Sequence, residues 1–387
     1  MLQTLACASC DVPHDPSGLE TICTACGRSL SAGYDLGPLA DALRDGSIAT
    51  RERSMWRYRE VLPVGEAEPV SLGEGWTPLL TLDRLAKSLG LAHLLVKDES
   101  SNATGSFKAR GLSAAVTAAR DRGASSLIAP SAGNAAGALA AYAGRAGLRA
   151  HVWLPSDCPA SNRLETRLMG VGVTEVEGTI ADAAAAMRAD APADAFDLST
   201  LKEPYRVDGK KTMGYELFEQ LGGLPDVILY PTGGGTGLLG MMKAFDELEG
   251  VGLVGASRPR MIAVQAADVA PIVDAFEAGA EVSEARPDGR TVASGLMVPK
   301  AFADWWVLKE IRRSGGRAVA VDDQAMLTAL AQCAAQEGLL FCPEGAALLA
   351  ALPRLIDEGT IGRDDRVVVF NTASAFKYPE VLEQALS

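Results

Sequence analysis

The chain has 387 residues, 48% of them hydrophobic and 22% charged, a size and balance that support one large or two medium domains with real cores. Lysine and arginine number 36 against 49 aspartates and glutamates, for a net charge of −13 and a sequence pI near 4.9. That sign argues against nonspecific binding to nucleic acid or to an anionic membrane, and no run approaches the roughly 20 apolar residues needed to cross a bilayer.

Met1 to Cys7 has neither a basic n-region nor a sustained apolar h-region, so no signal peptide is expected and the cytoplasm is the expected compartment. Four of the seven cysteines form two knuckles, Cys7-x2-Cys10 and Cys23-x2-Cys26. Such spacing brings four thiolates to a tetrahedral Zn2+. Disulfide pairing is the competing reading, and a reducing compartment disfavours it. Four ligands leave no open position, so the zinc is expected to be structural, with His14 a loop residue rather than a ligand. Cys158, Cys333 and Cys342 are read as reduced, buried thiols.

Asp41 to Tyr58 reads as a helix, and Ser71 to Leu79 as a loop broken by Gly73, Gly75 and Pro78. From there short apolar strands alternate with amphipathic helices. The strand candidates are Leu94–Val96, Ser126–Ala129, Ala150–Leu154, Val173–Glu177, Val227–Tyr230, Met261–Gln265, Ala318–Val321 and Val367–Phe370. Helices are expected at Ala135–Ala146, Ile180–Ala191 and Leu238–Leu248. Such alternation predicts an α/β fold whose parallel sheets carry helices on both faces. Eight strands suggest two doubly wound sheets with ligands in a cleft at the strand carboxyl ends.

The chemistry-bearing segments are strand-to-helix junctions. Lys108 lies in Ser100-Ser101-Asn102-Ala103-Thr104-Gly105-Ser106-Phe107-Lys108-Ala109-Arg110-Gly111, after the first long strand and ahead of an Ala-rich helix. The positive end of a helix dipole and partial burial lower an ammonium's pKa, as a nucleophilic lysine requires. Ser131, Gly133, Asn134 and Ala135 open the next helix with free N–H groups, an anion site. Gly233, Gly234, Gly235, Thr236 and Gly237 follow the strand Val227–Tyr230 and suit a phosphate. Gly235-x-Gly237-x-x-Gly240 also allows a dinucleotide reading, with a residue such as Asp268 on the ribose. Arg206 offers a planar fork that suits a phosphate dianion, with a solvated charge run as the competing reading, a stronger one for Lys202 than for Arg206.

The Lys108 dodecapeptide resembles the N-P-T-G-S-F-K-D-R-G segment of the threonine synthases, fold-type-II enzymes that use pyridoxal 5'-phosphate (PLP), and the resemblance runs in order from Cys7 to about Pro379. It implies that Lys108 holds PLP covalently and moves protons. It further implies that Asn134 meets the phenolic oxygen of PLP, that Gly233 to Gly237 grip its phosphate, and that Thr372 faces its pyridine nitrogen, with Ser374 as the other possibility. Ser131, Gly133, Asn134 and Ala135 are then the substrate-carboxylate loop, and Arg206 precedes Asp208-Gly209-Lys210-Lys211-Thr212, where the family has E-G-x-K-T and binds the substrate phosphate. Similar N-terminal cysteine knuckles occur in the family, which supports Cys7, Cys10, Cys23 and Cys26 as zinc ligands.

The chain departs from the family pattern at Gly234 and Gly237, where many members carry Asn, and at Ala373 and Ala375, where glycines are usual. Cys342-Pro343-Glu344-Gly345-Ala346-Ala347 resembles the family's E-P-[AE]-[SG]-A-A segment. The implied organisation is a zinc-ribbon-like segment over 1–35, a large PLP-binding domain over 36–120 and 206–387, and a smaller mobile α/β domain over 121–205. The implied reaction takes O-phospho-L-homoserine and water to L-threonine and phosphate in a homodimer that binds neither nucleic acid nor membrane. Alternatives are a relative acting on O-phosphoserine with sulfite, a serine or threonine dehydratase, and a non-enzymatic zinc-ribbon scaffold.

Overall fold

Five parallel strands and one antiparallel edge strand make the larger sheet of the computed structural model, which describes residues 2–131, 133–156 and 158–386. In spatial order they are Arg317–Val321, Arg260–Ala266, Val227–Pro231, Arg366–Asn371, His93–Asp98 and, antiparallel at the edge, Leu79–Thr81. Val227–Pro231 is buried at every position, as a central strand covered on both faces must be. The register sets Val227 opposite Arg260 and Phe370 opposite Lys97, so the carboxyl ends of the strands open on one side. The smaller sheet is wholly parallel, in the order Gly172–Val176, Arg149–Pro155, Ser126–Pro130 and Phe196–Asp197.

All eight strand candidates are strands; Leu94–Val96 grows by three residues to His93–Asp98, Val173–Glu177 is shifted by one to Gly172–Val176, and the others are extended by a residue or two. Asp41–Tyr58 is not one helix. Its helix spans Gly37–Arg44 and stops where Gly46 takes φ 77°, and two 3-10 turns follow at Ser47–Thr50 and Met55–Val61. Leu79–Thr81 and Phe196–Asp197 are too short to show a period of two.

Two helices decide where the site lies. Lys108–Asp121 and Tyr205–Leu221 cross at glycine: a Cβ on Gly209 would meet the Arg110 carbonyl carbon at 2.7 Å, and one on Gly111 the Arg206 carbonyl oxygen at 3.0 Å. This close approach sets Lys108 beside the first turns of the second helix. Ala109, Ala114, Ala115, Ala118 and Ala119 of the first helix are buried, and their small side chains let it pack against neighbours on several sides.

At the N-terminus a three-stranded antiparallel sheet joins Pro13–His14, Leu2–Cys7 and Leu30–Tyr34. His14 is therefore a strand residue, paired with Leu5. The sheet docks on the Tyr205–Leu221 helix and its approach: Tyr34 Oη donates to Asp208 at 2.6 Å, and Ser29 Oγ donates to the Leu201 carbonyl at 2.8 Å.

Candidate active site

Lys108 is the first residue of its helix, half-buried, with Nζ 4.5 Å from the centre of the Phe107 ring. The turn before it is pinned to the end of strand Arg366–Asn371. Phe107 N–H donates to the Thr372 carbonyl at 3.0 Å, and Ser374 N–H to the Gly105 carbonyl at 2.8 Å. Burial, and then the Arg206 charge, push the Lys108 ammonium down to about 8 against a smaller opposing pull from Glu344.

Thr372 is buried, with its hydroxyl 3.5 Å from the Cys342 sulfur. Cys342 caps the helix Pro343–Asp357 by accepting the Gly345 N–H at 3.3 Å, and desolvation raises its thiol far above the usual range. It is thus a buried, inert cap that shapes the wall beside Thr372. Glu344 accepts the Gly295 N–H on one carboxylate oxygen at 2.7 Å, while its other oxygen is buried without a partner. Asn134 donates from Nδ2 to the Tyr378 hydroxyl at 2.9 Å and leaves Oδ1 buried and unpartnered. Tyr378 and Thr372 belong to one stretch of chain, so that hydrogen bond brings the Asn134 helix to the same wall as Lys108.

Of the other carboxylate-loop residues, Ser131 is buried with Oγ 3.3 Å from the Gly133 N–H, and Ala135 lies half-buried in the first turn of Asn134–Ala146. Ala132 of that loop lies outside the described residues.

The glycine-rich loop leads into the helix Thr236–Gly250, two residues earlier than expected, so Thr236 and Gly237 form its first turn. Gly235 has φ 79°, and a Cβ there would collide with Val307. Gly233 and Gly234 precede it, the first buried and the second half-buried. Phe107 links this loop to Lys108, its ring edge-on to Tyr230 at 6.0 Å on the strand that feeds the glycines.

Arg206 is buried, not solvated: it is 2% exposed. Its Nη1 donates to the Leu198 carbonyl at 2.6 Å, Nε stands 4.0 Å from Glu203, and Nε and Nη2 have no hydrogen-bond acceptor. One turn on, Lys210 is wholly buried and donates to the Thr236 hydroxyl at 2.8 Å. Sequence reasoning passed over Lys210, Glu344 and Tyr378, although the first lies in the segment compared with E-G-x-K-T and the last two in or beside segments compared with the family.

The four N-terminal cysteines form a separate centre. Their sulfurs all lie within 4.8 Å of one another, with pairs at 3.5, 3.5 and 3.7 Å. Zn–S bonds of ~2.3 Å place tetrahedral sulfurs about 3.8 Å apart, so the set fits Zn2+. In the cleft, an anion-accepting glycine loop, an activated lysine, and orphaned polar atoms on Asn134 and Glu344 fit a phosphorylated aromatic aldehyde such as PLP.

The fold has counterparts among known proteins. The solved structures it resembles include maize serine racemase (TM-score 0.66, 23% identity, 80% of this chain and 92% of that one) and a fungal L-serine ammonia-lyase from Rhizomucor miehei (TM-score 0.69, 22% identity, 80% and 97%), a likeness of fold. Threonine synthase from Methanosarcina acetivorans is 35% identical over 98% of this chain and 93% of its own length, and that from Methanocaldococcus jannaschii is 34% identical over 98% and 94%. The family model described as pyridoxal-phosphate dependent enzyme matches residues 70–373, and on that match and those relatives the chain belongs to the pyridoxal-phosphate dependent enzymes.

Proposed function

We propose that the protein is a threonine synthase, converting O-phospho-L-homoserine and water to L-threonine and phosphate. Relatives of that name align over nearly the whole chain, and one observation separates this reading from a lyase of unphosphorylated serine or threonine. It is the buried Arg206, whose Nε and Nη2 are left without acceptors a short way from Lys108. Burying a guanidinium is costly unless a charge-assisted bond completes it, and a phosphate dianion would complete this one.

Bound in the cleft, PLP supplies the electron sink for negative charge at Cα and Cβ of the substrate. The N–H groups of Gly133, Asn134 and Ala135 and the Ser131 hydroxyl hold the α-carboxylate. Lys108 Nζ takes and returns protons at Cα and Cβ, and a value of about 8 suits an amine that must do both near neutrality. Arg206 holds the phosphate on Cγ as it leaves, and a fixed guanidinium needs no reorganisation as charge develops. Thr372 would offer a neutral hydroxyl to the ring nitrogen of bound PLP, while Tyr378 orients Asn134. Cys7, Cys10, Cys23 and Cys26 hold a structural zinc. The chain is read as a homodimer; exposed Leu164, Leu168 and Met169 at the end of one helix support this, and sedimentation would test it.

The deciding experiment offers purified protein O-phosphohomoserine and O-phosphoserine in turn, with and without sulfite, and follows phosphate and amino-acid products. Threonine and phosphate in equal amounts from O-phosphohomoserine are expected. Turnover of O-phosphoserine with sulfite alone would reassign the substrate, and ammonia release from serine or threonine alone would reject the phosphorylated class.

A further inference from the structure

Lys210 is a buried cation without a counter-ion. Its side chain is 0% exposed, its hydrogen bond goes to a neutral hydroxyl, Thr236 Oγ1 at 2.8 Å, and among the described residues no carboxylate forms an ion pair with it. Its other buried lysine neighbours in sequence and space are treated differently: Lys211 pairs with Glu247 at 2.8 Å, and Lys97 pairs with Glu216 at 2.7 Å. An ammonium taken out of water costs several kcal/mol unless an anion answers it. Thr236 opens the helix that ends the glycine loop, so Nζ stands where that loop presents its N–H groups.

We propose that Lys210 is the cation of the cofactor-phosphate site, binding the phosphate of PLP through Nζ beside Thr236. A glycine loop and a helix terminus offer only partial charges to a dianion. Lys210 supplies a whole one, from a side chain that a hydroxyl and the Phe107 ring, 5.2 Å away, hold in place.

Groups from each neighbouring element bear on its protonation. Arg206 and Glu203 lie on or next to its own helix, Lys108 on the crossing helix, and Thr236 on the loop. Burial first, then Arg206 and Lys108, press its pKa well below the usual 10.5, with Glu203 opposing. A phosphate dianion arriving beside it opposes that pressure and holds the ammonium charged. The inference rests on the family's cofactor and not on the choice of substrate, so it stands or falls separately from the threonine synthase reading.

The test titrates full-length apoenzyme with PLP and with pyridoxal, which has the same aldehyde and ring but no phosphate. Wild-type and Lys210→Gln proteins are compared by absorbance for affinity. Inorganic phosphate is also titrated against both ligands in each protein. Loss of one charge-assisted bond predicts that Lys210→Gln weakens PLP about 10- to 100-fold and pyridoxal less than about 3-fold. Inorganic phosphate should compete with PLP but not with pyridoxal for the wild-type apoenzyme, a measurement that needs no variant to fold, and should compete less well in Lys210→Gln. Equal affinity of wild type and Lys210→Gln for PLP would overturn the proposal, as would equal losses for both ligands, which mark a structural role. So would unchanged PLP affinity with a raised KM for a phosphorylated substrate, or competition by phosphate that is the same in wild type and Lys210→Gln.

Discussion

The pair of crossing helices carries two groups of buried cations with opposite bookkeeping. On one side of the crossing, Arg110 and Lys97 share Glu99 and Glu216: Arg110 Nε meets Glu99 at 2.7 Å, its Nη1 meets Glu216 at 2.5 Å, and Lys97 meets Glu216 at 2.7 Å. The Thr77 and Thr212 hydroxyls accept from Arg110, the Thr77 carbonyl and Gln220 accept from Lys97, and all four charged side chains are 0% exposed. On the other side, Lys108, Arg206 and Lys210 gather with donors of Arg206 unused, and Glu203, Asp197 and Glu344 oppose them without completing their hydrogen bonds. The first group is complete and serves the fold. The second is incomplete within the protein, and what completes it is an anion from outside.

The sharpest way to break this contrast is to remove a charge from each side. Glu216→Gln leaves Arg110 and Lys97 short of an anion in the core, and breaking a buried pair costs about 3–5 kcal/mol. Arg206→Met removes a cation that has no complete partner, so the apoprotein should lose little stability or gain some. Urea denaturation of the two apoproteins measures both. Equal destabilisation would mean that the Arg206 cluster is a structural network after all.

Arg206 then separates substrates. Arg206→Ala removes a bidentate partner worth on the order of 2–4 kcal/mol, which at ~1.4 kcal/mol per decade lowers kcat/KM roughly 30- to 1000-fold. PLP should stay bound, and part of the loss should fall in kcat because the same contact serves the departing phosphate. Arg206→Lys should recover only a fraction, since a point charge does not reproduce the fork. Near-normal turnover by Arg206→Ala with its best substrate would remove the case for a phosphorylated one.

Acid and base titrations sharpen the same comparison. Arg110 and Lys97 together outweigh desolvation and hold the Glu216 carboxyl at about 2, below its usual 4.5. A depressed folded value means stability present above about 4.5 and lost as pH falls from there toward 2, so Glu216→Gln should flatten this part of the acid-unfolding profile. Lys108 moves the other way in function. Its amine is nucleophilic only when deprotonated, so recapture of PLP by apoenzyme should quicken about tenfold per pH unit below about 8 and level off above it. A rate that keeps rising to pH 10 would show that the lysine is not desolvated.

How much of this could be seen in the sequence follows from the range of the forces involved. The eight long strands were legible because each is a local apolar run, and the Lys108 turn and glycine loop because their residue types are set by local backbone need. Leu79–Thr81 was not, since a three-residue edge strand owes its form to its partner His93–Asp98. Nor were the two charge groups. Lys210 and Lys211 are adjacent in sequence and alike in burial, yet Lys211 faces Asp208 and the distant Glu247 while Lys210 faces the Thr236 hydroxyl, and which way each points is set by the packing of the helix. The solvated-run account of Arg206 failed for the same reason, because its burial is imposed by the helix crossing.

The smallest effect on turnover is expected from the N-terminal centre. Elemental analysis of protein prepared without chelator should find one Zn2+ per chain, held by Cys7, Cys10, Cys23 and Cys26. Four thiolates close the shell, so no site is left on the metal for a reacting atom. The module reaches the helix of Arg206 and Lys210 through Tyr34, whose hydroxyl donates to Asp208 and whose ring centre lies 4.1 Å from Lys211 Nζ, and through the Ala32 carbonyl, which accepts from Lys243, itself paired with Asp208. Losing zinc should therefore loosen the three-stranded sheet and lower Tm, while folded Cys23→Ser protein keeps its PLP and turns over within about twofold of wild type. The effect would be larger only if docking through Asp208 fixed the rotation of that helix, and with it the direction of the Arg206 and Lys210 side chains. A tenfold fall in kcat in folded, PLP-loaded Cys23→Ser would establish that coupling and end the purely structural account of the metal.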